Sequence, residues 1–69
     1  MKKPKINDVA IRRGRFNIYG ELRITKVMEK VDTLGYRCEG IYKDYKTGES
    51  NKAENTLVYW SKRYKAFRG

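Results

Sequence analysis

Arg12, Arg13 and Arg15 near one end of the chain, and Lys62, Arg63, Lys65 and Arg68 near the other, are the residues whose type and spacing could do chemistry. Residues 1–15 hold six basic side chains against Asp8 alone, a net charge of +5. Residues 61–69 hold four and no acid, a net charge of +4, whereas residues 16–60 balance seven basic against seven acidic side chains. The whole excess of +9 therefore sits at the two ends. Cations gathered in this way attract phosphates, and binding a polyanion releases its condensed counterions, so affinity falls as salt rises. Aromatic rings are interleaved with the cations, as Arg15-Phe16 at one end and Tyr59-Trp60-Ser61-Lys62-Arg63-Tyr64-Lys65 at the other. Rings beside cations suit stacked bases or inserted wedges, with Tyr59 or Tyr64 expected to stack. Phe16, Trp60 and Phe67 are expected in the core, because a short chain has few other large apolar groups to bury.

Catalysis finds little support. The chain has no histidine, and its eight carboxylates are interspersed with Lys or Arg as ordinary surface pairs are. Cys38 is the single cysteine, so it has no disulfide partner within the chain. With histidine absent there is no Cys/His set for zinc. Its sequence neighbours point to a small buried hydrophobe rather than a reactive thiol. No cofactor is expected. No apolar run is long enough to cross a membrane as a helix, and Ile6 to Arg15 is too polar for the apolar segment of a secretory signal. A reducing cytoplasm is the expected location.

The elements that must position these side chains are organised around Leu22–Tyr42. Leu22, Ile24, Val27, Met28 and Val31 precede Asp32-Thr33-Leu34-Gly35, and Tyr36, Cys38, Ile41 and Tyr42 follow. β-Branched and aromatic residues on both sides of a turn-forming Asp and Gly predict an antiparallel hairpin with one wet face. The alternation slips between Ile24 and Val27 and again near Gly40, which predicts two bulges that bend the hairpin over a small core.

On either side of the hairpin the elements are shorter. Residues 1–8 read as a flexible basic arm. Val9–Arg13 reads as a short strand with Val9 and Ile11 inward and Arg12 outward. Lys43 to Asn55 is a loop or ragged edge strand with a reversal at Lys46–Glu49 and Tyr45 exposed. Thr56 to Phe67 is ambiguous. Leu57, Trp60, Tyr64 and Phe67 follow helical spacing, but the consecutive β-branched and aromatic residues favour a strand over Thr56–Trp60, a turn over Ser61–Arg63 and a last strand over Tyr64–Phe67.

The expected fold is mostly β: one domain over 9–69, a small curled antiparallel sheet or barrel of four to five strands, with a short C-terminal helix as the alternative. In size, strand count and charge it resembles the small SH3-like barrels, the class of the KOW and Tudor modules, and the basic barrel of archaeal chromatin proteins. No residue motif accompanies that likeness, and it implies a fold only. First and last strands of small barrels commonly pair, which would join the two basic ends. The chain is thus expected to be a non-catalytic module that holds the phosphate backbone of DNA or RNA. Its expected contacts are Arg12, Arg13, Arg15, Tyr59, Lys62, Arg63, Tyr64, Lys65 and Arg68. The alternative is a small inhibitor or adaptor, of the kind phages and mobile elements encode, that docks on an acidic protein surface.

Overall fold

The computed structural model describes residues 2–69, which form five strands: β1 (Val9–Arg13), β2 (Ile18–Val31), β3 (Gly35–Asp44), β4 (Ser50–Ser61) and β5 (Ala66–Arg68). They close into a barrel in the order β1-β2-β3-β4-β5, with β5 running parallel to β1 and every other neighbour antiparallel. This is a small SH3-like barrel. Among the described residues there is no helix, so the helical stripe in Thr56 to Phe67 is not used. Strand pairing on both sides satisfies backbone groups that an isolated short helix would leave marginal in water. β4 runs on to Ser61, and the turn over Lys62–Lys65 leaves only three residues for β5.

The hairpin has the expected bulge between Ile24 and Val27, but β3 does not slip near Gly40: Cys38, Gly40 and Tyr42 keep one parity and Ile41 faces outward. Ile24 faces Gly40 but Lys26 faces Glu39, so Thr25 is the extra residue, and the shift returns Val27 to the core side opposite Cys38. On the other flank of β3, Cys38 faces Thr56 and Gly40 faces Ala53, with one more residue in β4 than in β3. Asn55 takes up that extra length at φ 55°. These two bulges lie level with each other across Glu39–Gly40, where bulges favour a bend, and β2 carries a further register shift between Val27 and Lys30. Gly40 sits at the bend. A Cβ there would collide with the carbonyl oxygen of Arg23 and lie 2.9 Å from Leu22 Cδ1.

Ala10, Leu22, Ile24, Cys38, Val58 and Phe67 form the core, with Val27, Tyr36, Tyr42, Ala53 and Trp60 packed against it. Burying a side chain the size of Leu22, Ile24 or Val58 stabilises by about 1.5–3 kcal/mol, a large share in a domain this small. The β1 parity is the reverse of that expected. Ala10 faces both Leu22 and Phe67 and is fully buried, so Val9 and Ile11 stand on the outer, half-buried side and Arg12 is on the inner one. Leu22 and Phe67 fill the interior at this level, and the remaining space suits a methyl group.

Phe16 is not core either, being 88% exposed. It lies in the link between β1 and β2, where the Gly14 N–H donates to the Asn17 carbonyl at 2.7 Å and the tight reversal turns its ring to solvent. The basic segment before β1 lies against the barrel. Pro4 is fully buried, the Asn7 N–H donates to the Ile24 carbonyl at 2.8 Å, and the Ile24 N–H donates to the Asp8 carbonyl at 2.9 Å. Met1, part of the expected arm, is outside the described residues.

Candidate nucleic-acid interface

The parallel seam between β1 and β5 brings the two basic ends together. Ala10 pairs with Phe67 and Ile11 with Arg68, and the Gly69 N–H donates to the Ile11 carbonyl at 3.1 Å. Because Ala10 and Phe67 point inward, Ile11, Arg13 and Arg68 point outward on the same wall. Tyr59 extends that wall, since it pairs with Arg68 across β4 and β5.

Tyr64 completes the cluster from the turn before β5. Its N–H donates to Ser61 Oγ at 3.3 Å, and Lys65 after it turns the chain at φ 51°. The guanidinium carbons of Arg13, Arg63 and Arg68 lie 4.0, 5.5 and 5.6 Å from the Tyr64 ring centroid, and Arg68 is also 5.9 Å from that of Tyr59. Each such contact at an exposed site is worth about 0.5–1 kcal/mol, so the ring steers the guanidinium planes without neutralising them. Among the described residues no carboxylate is in ion-pair contact with them. The ion pairs among the described residues are Arg37–Glu29 at 3.4 Å and Lys52–Glu54 at 3.5 Å, both exposed and neither drawing on this cluster. Three like charges around one exposed ring repel one another, and an anion laid over them relieves the repulsion while gaining up to three forked donors.

Of the nine residues expected at the site, five gather here: Arg13, Tyr59, Arg63, Tyr64 and Arg68. The others lie apart. Arg12 is turned to the inner side of β1 over the Tyr42 ring, 5.0 Å from its centroid, with its Nε buried and lacking a hydrogen-bond partner. Gly20, opposite Arg12, leaves the room that the Tyr42 ring occupies. Arg15 sits in the β1–β2 link, 5.7 Å from the Phe16 ring centroid. Lys65 is exposed in the last turn, and Lys62, its neighbour there, faces a cavity with Lys2, Thr33 and Trp60.

The pairing of Lys2 with Trp60, its Nζ 3.9 Å from the ring centroid, was not legible in the sequence, nor was that of Arg12 with Tyr42. Strand alternation from Val58 does put Trp60 on the inner side, but nothing in the residues before β1 says which ring they reach.

No other constellation of reactive groups stands out. Among the described residues no three His, Cys, Asp or Glu side chains assemble as metal ligands, and no helix is long and apolar enough to cross a membrane. Cys38 is free and buried, and burial pushes its thiol pKa up. The Tyr45 hydroxyl, exposed as expected, donates to Glu21 Oε1 at 2.7 Å, and that hydrogen bond raises the Tyr45 pKa. Compared with known proteins, the chain matches no family model, no curated sequence and no solved structure, so the geometry alone bears on its function.

Proposed function

We propose that the barrel is a non-catalytic nucleic-acid-binding module of the cytoplasm that holds phosphate backbone along the β1–β5 seam, with Arg13, Arg63 and Arg68 as the central contacts. Lys62, Lys65 and Arg15, which lie apart from that cluster, act as longer-range cations, and Arg12 packs over the Tyr42 ring. The observation that carries this reading is the gathering of three guanidiniums on Tyr64 with no carboxylate in ion-pair contact. Backbone contacts of this kind set affinity and register without reading sequence.

Titration of a fluorescein-labelled oligonucleotide at two salt concentrations tests it. Binding that weakens steeply with salt, and that replacement of Arg13 and Arg68 by Ala reduces for all sequences alike, is the expected result. Absence of binding at low salt, together with a partner that survives nuclease treatment of a lysate, would favour the adaptor on an acidic protein surface instead.

A further inference from the structure

Around the other side of the last turn lies a second arrangement of ring and cations. Lys2, Lys3 and Lys5 line a cavity of about 370 Å³ whose apolar lining is Val9, Trp60, Ala66 and Phe67. A neighbouring cavity of about 490 Å³ shares Lys2 and Trp60 and adds Lys62. Volumes of this size hold one small planar ligand. The Trp60 ring meets Phe67 edge-on, with centroids 5.0 Å apart and planes at 76°, so Phe67 braces it without stacking over it. A movable ammonium, Lys2 Nζ, lies over the ring at 3.9 Å. Pro4, fully buried, ties down the segment that carries Lys2, Lys3 and Lys5. The one acid in the lining, Asp8, accepts the Lys5 backbone N–H at 2.8 Å, and neither ion pair of the described residues involves these lysines.

We infer that this notch takes an unpaired nucleobase of a single-stranded nucleic acid, stacked on Trp60 in place of the Lys2 ammonium, with Lys2, Lys3, Lys5 and Lys62 on the flanking phosphates. An apolar floor with a lysine rim matches the two halves of a nucleotide. The notch and the arginine cluster meet at adjacent residues of the last turn, because Lys62 faces Trp60 while Arg63, the next residue, lies beside Tyr64. One strand passing around this turn would place a base on Trp60, its flanking phosphates on the lysines, and phosphates further along on Arg63, Arg13 and Arg68. A duplex keeps its bases stacked within and engages only the cations. The inference rests on the proposed backbone binding and adds that the ligand is single stranded.

Trp60 is the only tryptophan in the chain, so its own emission reports on the notch. The test compares the full chain titrated with dT12, a DNA hairpin duplex of equal phosphate number, and inorganic tripolyphosphate. Tryptophan emission is read beside the anisotropy of labelled strands. The expected result is that dT12 quenches Trp60 by half or more, the other two leave it unchanged while still competing for the protein, and dT12 binds at least tenfold tighter than the duplex. Trp60→Leu, its fold checked by circular dichroism, should lower dT12 affinity by about five- to hundredfold, the worth of one stacked base. It should leave duplex affinity within twofold. If Trp60→Leu fails to fold, the wild-type quenching decides alone. Salt-sensitive binding of dT12 with Trp60 emission unchanged, or quenched equally by the duplex, would overturn the notch and leave backbone binding standing. Failure of dT12 and duplex alike to bind at low salt would overturn both.

Discussion

The guanidinium of Arg13, at the end of β1, rests 4.0 Å from the ring centroid of Tyr64, in the turn before β5. Two residues from opposite ends of the chain thus build one surface. Replacing Arg13 and Arg68 together by Ala should reduce the slope of log affinity against log salt by about 1.4–1.8, the share of two phosphate contacts. It should leave the melting temperature little changed, because relief of like-charge repulsion offsets the lost ring contacts. Salt titration and thermal denaturation of the same variant check both outcomes.

Tyr64 steers three arginines by its ring face, and its hydroxyl takes no part in those contacts. Tyr64→Phe should therefore bind nucleic acid within twofold of wild type, and Tyr64→Ala should bind at least about threefold more weakly, the worth of one exposed cation–π contact. Equal loss in both variants would show that the hydroxyl, not the ring, matters.

Phe16, turned to solvent in the β1–β2 link, contributes little to the fold. Phe16→Ala should change unfolding free energy by no more than about 0.5 kcal/mol, as surface substitutions do. A loss of several kcal/mol in urea denaturation would put the ring back in the core.

Gly40 and Gly48 should respond differently to alanine. At Gly40 the new methyl meets backbone, the Arg23 carbonyl oxygen, which no side-chain rotation relieves, so a loss of about 3 kcal/mol or more is expected. At Gly48 the space is open and only the φ of 75° opposes a Cβ, so the loss should be about 1–2 kcal/mol. Chemical denaturation of the two variants side by side makes the comparison.

Stability should decline in alkali through Cys38. The folded thiol holds its proton to higher pH than the unfolded one, whose ordinary value is 9.0. Above that pH the unfolded chain has lost a proton that the folded chain keeps, and unfolding is favoured as pH rises further. Tyr45, held protonated by its bond to Glu21, acts in the same direction. Urea midpoints at pH 8 and pH 10 should differ less in Cys38→Ala than in wild type, and less again when Tyr45→Phe is added.

The bent hairpin was legible because β2 carries a period of two that slips after Ile24, and a slip in a half-buried strand has few causes other than a bulge. Ile41 misled, since its apolar side chain faces outward and the extra residue near Gly40 belongs to β4. β1 misled because Val9, Ala10 and Ile11 are all apolar. Period alone cannot choose between Ala10 and its larger neighbours, and the choice depends on what Phe67 already fills from the far end of the chain. Phe16 misled for the same reason, since residue type says nothing of how full an interior is. The meeting of Arg13 with Arg68 followed from the habit of small barrels to pair first and last strands. The path of Lys2 to Trp60 depends on Pro4 finding a buried seat, which no local pattern announces.

Closure of the sheet by β1 and β5 joins segments separated by nearly the whole polypeptide. Such a contact carries a high contact order and forms late, after the cost of closing the longest loop. Until Phe67 docks, Leu22 and Ile24 therefore lack the last side chain of their core. The arginine surface is assembled by that same step, so a chain cut before the last turn lacks it.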